Sequence, residues 1–212
     1  MKKIFFLFLL IVSAYFTCAQ TYPEPEFSNE VYYLNKASGN TLVRLEKGSS
    51  KMDQKTNMIS GSEVSYSIEG VKSAVRLSSG GNLSFVFSTG APSTKSSGKS
   101  DSAMKANGID PSMFSGLGNM SDPSEKFTLY KMEPGKGERK VLLQKAPGMN
   151  PFGSHKLQSS DKYTFSAKKI RDGYWELIID KTLPKGEYAF TMSDTGTSAM
   201  SMGTVLFAFG ID

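Results

Sequence analysis

The apolar residues of this chain come in short runs, and this pattern restricts the fold more than any other feature of the sequence. The runs are rich in Val, Tyr, Phe and Leu, and nowhere do they keep a period of about 3.6 over ten residues, as an amphipathic helix would require. They therefore predict β-strands. The predicted strands cover residues 30–35, 41–46, 64–68, 74–77, 83–88, 126–132, 140–144, 162–168, 174–179, 187–192 and 204–209.

Turn-forming residues separate these runs. Gly39-Asn40, Gly80-Gly81-Asn82 and Asp172-Gly173 each fall between two predicted strands, and Gly, Asn and Asp tolerate positive φ. Within 127–132 and 163–168 the side chains alternate, so we expect one buried face and one wetter face. This spacing predicts an all-β fold, an immunoglobulin-like antiparallel β-sandwich with a long low-complexity insertion.

The most specific structural motif is the corner at residues 183–188. Leu183, Gly186 and Tyr188 are spaced as in the turn that leads into a late strand of immunoglobulin-like sandwiches, where a tyrosine hydroxyl bonds to upstream backbone. We interpret all three as structural residues. Trp175 is predicted to lie in the core, or else to form a stacking surface for a sugar ring together with Tyr174.

Residues 88–125 have a different composition. Of these 38 residues, 10 are Ser and 5 are Gly, and Phe114 is the only aromatic residue. Such a segment buries too little apolar surface to offset the entropy of ordering it. We expect a flexible insertion, with one short helical turn at 111–117 after Asp110-Pro111.

The N-terminus has the pattern of a signal peptide. Lys2 and Lys3 precede an apolar run over residues 4–16, which is too short to span a bilayer, and cleavage is expected after Ala19. Cys18, the only cysteine, would be removed with residues 1–19, which excludes a disulfide framework. Lipid attachment at Cys18 is the alternative that we consider less favourable, because Thr17 and Tyr15 depart from the lipoprotein pattern.

Residues 20–212 then form a single predicted domain, exported to the periplasm or beyond, without a transmembrane helix. Of the 25 Lys and Arg residues, two lie in the signal peptide, which leaves 23 basic against 20 acidic side chains. This excess is small and dispersed, so it argues against nucleic acid as a partner.

The sequence offers little for catalysis. His155 is the sole histidine and lies in a loop-like stretch without a nucleophile elbow, so a catalytic triad is not expected. The low-complexity segment 93–100 ends in Gly98-Lys99-Ser100 but lacks the first glycine of a phosphate loop, and we expect no cofactor. Two carboxylates would suffice for a glycoside hydrolase, and the candidate acids at strand ends are Glu133, Glu138, Asp172, Glu176, Asp180 and Glu187.

Methionine is the unusual residue type, with 11 in the chain. Thioethers bind copper(I), so Met200, Met202 and His155 are candidate ligands of a copper carrier. Methionine also fills apolar gaps and adaptable contact surfaces, and we favour that interpretation.

Four segments together resemble a group of exported bacterial proteins of unknown function: residues 22–27, 127–133, 183–190 and 207–212. This resemblance implies a β-sandwich fold and export, and it identifies no functional residue. The sequence thus favours a non-catalytic binding or structural module for an envelope or extracellular protein or a glycan. A glycoside hydrolase and a copper carrier are the alternatives. Contact surfaces are expected at sheet edges and at loops 88–125, 146–160 and 193–203.

Overall fold

The computed structural model describes residues 22–58, 61–90, 122–149, 157–192 and 203–212. These residues form thirteen β-strands and two single 3-10 turns, so the fold is all-β as predicted. The strands are β1 (Glu30–Asn35), β2 (Thr41–Arg44), β3 (Glu46–Asn57), β4 (Gly61–Glu69), β5 (Arg76–Leu77), β6 (Ser84–Ser88), β7 (Phe127–Pro134), β8 (Glu138–Ala146), β9 (Lys162–Tyr163), β10 (Phe165–Arg171), β11 (Tyr174–Ile179), β12 (Gly186–Met192) and β13 (Gly203–Ile211).

The first sheet has five antiparallel strands in the order β10-β11-β6-β1-β2. β1 and β2 form a hairpin through a 3-10 turn, where Gly39 caps the turn in the left-handed conformation that glycine adopts without strain. β2 and β10 are the edge strands.

The second sheet closes into a ring. Its strands follow the order β12-β13-β3-β4-β8-β7, and β7 then pairs with β12 along residues 127–132. β7 reaches β8 only through its last two residues, Glu133 and Pro134. All pairings within the ring are antiparallel, while β5 adds to β13 in parallel and β9 adds to β7.

The main core lies between the five-stranded sheet and the β7, β12 and β13 side of the ring. Phe85, Phe190 and Phe209 are fully buried there, with ring centroids 4.9 to 6.1 Å apart. Aromatic pairs at such distances add about 0.5–1.5 kcal/mol each beyond their burial. This aromatic core fixes how the two sheets face each other.

A second, smaller core fills the interior of the ring. It contains Met132, Val141, Ala189, Leu206 and Ala208, which point away from the main core. The prediction of one wetter face on residues 127–132 was therefore wrong: Tyr130 and Met132 are buried because β4 and β8 cover them.

The predicted strands agree with the described ones in position, with differences at their ends. Residues 41–46 are divided at Leu45 between β2 and β3, and residues 162–168 are divided at Thr164 between β9 and β10. Most of β3 was not predicted, because its residues after Glu46 are almost all polar and show no apolar alternation. Polar side chains are allowed on this strand because its second half is largely exposed to solvent.

The insertion predicted at 88–125 lies mostly outside the described residues, as do the signal peptide at 1–19 and the helical turn at 111–117. The described ends of the insertion are Ser88 in β6 and a 3-10 turn, Pro123–Glu125. Asp122 caps this turn by accepting a hydrogen bond from the Ser124 amide. In the described part of the chain, no helix is long and apolar enough to cross a membrane.

Candidate functional site

One end of the ring interior is charged. Arg139 on β8 is in phase with the buried Val141, and its side chain is fully buried. Its Nη2 donates to Glu46 Oε1 at 2.5 Å and to the Glu69 carbonyl at 3.1 Å. Its Nη1 donates to Glu46 Oε2 at 3.2 Å and to Glu187 Oε2 at 3.4 Å. A single guanidinium thus connects β3, β4, β8 and β12.

A second arginine extends this network to the end of β13. Arg76 on β5 bonds Glu187 and also donates from Nη2 to Asp212 Oδ1 at 2.6 Å. Gly210 lies beneath it, and any side chain at this position would overlap the Arg76 guanidinium. The Ser73 amide completes the shell by donating to Glu187 Oε2 at 2.9 Å.

The network holds the Glu46 carboxylate in the ionised form. Burial by itself would raise the pKa of Glu46, but the hydrogen bonds from Arg139 and Ser73 outweigh it, so that pKa is lowered. The bond to Asp212 raises the pKa of Arg76 further, although burial acts against it. A general acid needs a raised carboxyl pKa, so Glu46 is arranged as a fixed charge.

A second charged cluster lies at the junction of β1, β2 and β3. Glu30 is buried, and Arg44 donates to both of its oxygens, at 2.5 and 2.7 Å. Lys47 Nζ donates to Glu30 Oε1 at 2.9 Å. The bidentate bond to Glu30 raises the pKa of Arg44, against the opposing effect of burial.

A groove of about 440 Å³ separates the two clusters. Glu46, which belongs to the Arg139 network, lines one wall of this groove. Arg44 and Lys47, which belong to the Glu30 cluster, line it as well. Its lining residues are Arg44, Leu45, Glu46, Lys47, Ser49, Ala74 and Val75. Arg44 and Glu46 remain partly exposed, with side-chain accessibilities of 41% and 25%. The groove therefore offers charges of both signs, each held in place by a buried partner.

The structure separates the acids that the sequence proposed for a hydrolase. Glu187 shares the Arg139 guanidinium with Glu46, a carboxylate that the sequence did not single out. The others are distributed as follows: Glu138 pairs with Lys140, Asp172 with Lys169 and Glu176 with Lys36, Asp180 accepts a hydrogen bond from Ser166, and Glu133 is exposed on β7.

The candidate copper ligands Met200, Met202 and His155 lie outside the described residues, so the copper site stays a prediction. Among the described residues, no group of three or more His, Cys, Asp or Glu side chains is arranged for a metal ion. Two methionines are instead strongly exposed: Met58 at 80% and Met149 at 82%, joined by a backbone hydrogen bond of 3.1 Å. They lie at the end of the β4–β8 pair opposite to Arg139.

The residues of the corner at 183–188 make contacts within the fold. The Tyr188 hydroxyl donates to the Pro184 carbonyl at 2.7 Å, which is the upstream backbone contact expected from the sequence. Leu183 is buried in the main core, and Gly186 opens β12 at φ +154°. Trp175 also lies in the main core, stacked on Phe87 at 6.4 Å. Tyr174 is buried on the opposite face, so the alternative of a stacking surface for sugars was wrong.

Arg139 and Glu46 were not predicted as functional residues. A usable signal was present, because Arg139 lies one residue before the predicted strand 140–144 and two before Val141, in the same phase of the alternation. A charged residue in that phase needs a buried partner. The partner, Glu46, lies 93 residues away, and no local pattern marks it.

No protein-family model, curated protein or solved structure matches this chain.

Proposed function

We propose that this chain is an exported, non-catalytic binding module built on an immunoglobulin-like β-sandwich, and that it holds an extended segment of an envelope or extracellular protein. The observation that carries the proposal is the groove at the end of β2, which is bordered by Arg44 and Glu46 and adjoins an open sheet edge.

The edge strand favours a polypeptide ligand. Within the described residues β2 pairs only with β1, so its other edge presents free backbone donors and acceptors, onto which an extended segment can add as a further strand. The opposite edge strand, β10, carries Lys168, Lys169 and Arg171, charges of the kind that discourage strand addition. The two edges therefore differ, and β2 is the receptive one.

The charges at the groove suit binding better than hydrolysis. Glu46 and Glu187 share the Arg139 guanidinium, and the lowered pKa of Glu46 opposes its use as a proton donor. Arg44 and Glu46 are preorganised by buried partners, which lowers the entropic cost of ordering them around a ligand.

The immunoglobulin-like assignment rests on the Tyr188 corner and on the face-to-face packing of two antiparallel sheets. The covering layer of β4 and β8 is an addition to such a sandwich.

Export rests on the N-terminal pattern, and mass spectrometry of the protein from its native cells is expected to find a chain that starts at Gln20. A chain that retained residues 1–19 would contradict export by cleavage.

The binding proposal can be tested with a matched pair of variants. Ala74 is exposed and lines the groove, and Ala37 is exposed in the turn between β1 and β2. We expect Ala74→Trp to block the groove and to lose proteins captured from a native envelope extract, while Ala37→Trp keeps them. Equal capture by both variants would show that the groove is not the contact surface. Binding that survives protease treatment of the extract would indicate a glycan instead.

A further inference from the structure

Residues 22–27, called the strap below, cross the outer face of the five-stranded sheet. Tyr22 at one end contacts Glu176 on β11. Phe27 at the other end donates its amide to the Tyr32 hydroxyl on β1 at 3.1 Å, and its ring packs under the Arg44 guanidinium of β2 at 4.5 Å. The strap thus passes over β11, β6, β1 and β2.

The length of the strap matches this path. Three strand-to-strand spacings amount to about 14 Å, and five residue steps of nearly extended chain reach about 16 Å. Pro23 and Pro25 favour such an extended conformation, because the residue before each proline avoids the helical region. The strap therefore runs across the strands instead of pairing with one of them.

Side chains hold the strap in place. The Tyr22 hydroxyl donates to Glu176 Oε2 at 2.7 Å, and its ring lies edge-on to Tyr174 at 6.2 Å. The Tyr174 hydroxyl donates to the Pro23 carbonyl at 2.5 Å, and Arg171 bonds Glu24. In the described part of the chain, no hydrogen bond between backbone groups joins the strap to the sheet.

These contacts form a complete recognition site. The outer face supplies a buried carboxylate in Glu176, a buried phenol in Tyr174 and a cation in Arg171. The strap supplies the Tyr22 hydroxyl, the Pro23 carbonyl and the Glu24 carboxylate in matching order. Because no β-ladder is involved, the strap can leave and return while every strand pairing of the sheet stays intact.

The connection between the strap and β1 holds an unsatisfied polar group. Asn29 lies at φ +59°, a left-handed conformation that asparagine tolerates, but its Oδ1 is buried without a hydrogen-bond partner among the described residues, which costs free energy. Short hinges that carry such a cost favour exchange of the attached segment between identical chains, because the exchanged form can relieve the cost at the hinge and keep every other contact.

We propose that the outer face of the five-stranded sheet is an exchange site whose second occupant is the strap of another copy of this chain. In a reciprocal pair, each copy places its Tyr22 on the partner's Glu176 and its Glu24 on the partner's Arg171. The intramolecular strap has an effective concentration on the order of millimolar, so exchanged dimers are expected to form at high protein concentration. The proposal does not depend on a ligand in the groove.

Complementary charge reversal tests the exchange. We would prepare chains that start at Gln20 with Glu24→Arg and with Arg171→Glu; residues 20–212 contain no cysteine, so disulfide dimers cannot form. Each variant alone repels its own strap, whereas in a mixture the strap of the first variant fits the face of the second. We expect sedimentation at about 0.5 mM protein to show more dimer in the mixture than in either variant alone. The double variant Glu24→Arg/Arg171→Glu is expected to behave like the parent chain.

Two measurements separate exchange from a purely structural strap. A peptide of residues 20–28 is expected to reduce the dimer fraction of the parent chain, and Tyr22→Ala is expected to abolish the dimer while the chain stays folded by circular dichroism. A parent chain that remains monomeric at about 0.5 mM would overturn the proposal. A dimer that is unchanged by Tyr22→Ala would also overturn it, since the copies would then associate through another surface.

Discussion

Arg139 shows how a single residue organises one end of the ring. Its side chain is fully buried and bonds two carboxylates and one carbonyl oxygen. Burial of Arg139 is favourable only while Glu46 and Glu187 satisfy its charge, because the guanidinium alone would lose its hydration without compensation. The network is therefore sensitive to removal of any one member.

Replacement of Arg139 by methionine is expected to lower the free energy of unfolding by about 3–5 kcal/mol, since Glu46 and Glu187 would be left without their shared partner. Urea denaturation measures this change. Lys140→Met, which affects only partly exposed ion pairs, is the matched control and is expected to cost less than about 1 kcal/mol. An equal cost for both variants would contradict the central role of Arg139.

Tyr22 provides a titration that reports on the strap. Burial and the neighbouring Glu176 raise the pKa of Tyr22 to about 12. The folded chain thus keeps the phenol proton over a pH range in which the unfolded chain has lost it, so stability is expected to fall as the pH rises above about 10. Burial also raises the pKa of Tyr32 and of Tyr174 to about 12, so absorbance of phenolate should show a late phase from several tyrosines that becomes smaller by one phenol in Tyr22→Phe. A late phase of unchanged size in that variant would exclude Tyr22 as its source.

At the scale of elements, β3 is the strand that joins the layers. Its first half, residues 46–51, pairs with β13, and its second half, residues 52–57, pairs with β4. Gly48 leaves room for the Ile68 side chain of β4, because a Cβ at residue 48 would lie 2.5 Å from Ile68 Cδ1. Any larger residue at this point would force the Ile68 side chain to shift.

Gly48→Ala is expected to destabilise the protein by about 1–3 kcal/mol through overpacking against Ile68. In the double variant Gly48→Ala/Ile68→Ala the clashing atoms are gone, so the two changes should cost less together than the sum of their separate effects. Thermal unfolding of the four proteins in this cycle provides the measurement. Additive costs would show that the two residues do not compete for the same space.

At the scale of the whole molecule, buried ion pairs determine the response to acid. Burial alone would raise the pKa of Glu46 and of Glu176, but hydrogen bonds from Arg139 to the first and from Lys36 and Tyr22 to the second lower both pKa values. The unfolded chain therefore takes up protons at higher pH than the folded one. The stability that these groups contribute is complete above their ordinary value of 4.5 and is lost as the pH falls below it.

The free energy of unfolding is accordingly expected to decrease between pH 5 and pH 3, and Glu46→Gln should make this decrease less steep. Urea unfolding at several pH values measures the slope. Glu133→Gln, on the exposed end of β7, serves as the control and should leave the slope close to that of the parent chain. A Glu46→Gln slope identical to the parent's would place the acid sensitivity elsewhere.

The sequence by itself determined the positions of most strands and the corner at Tyr188, because alternation and turn chemistry act between residues close together in the chain. It missed most of β3, whose polar residues carry no such pattern. Only the tertiary structure decided that β7 closes the ring onto β12 and that Arg139 meets Glu46. It also decided that Tyr22 lies on Glu176, 154 residues away. Contacts of this kind depend on how strands that are distant in the chain pack together, so they cannot be predicted from a pattern of neighbouring residues.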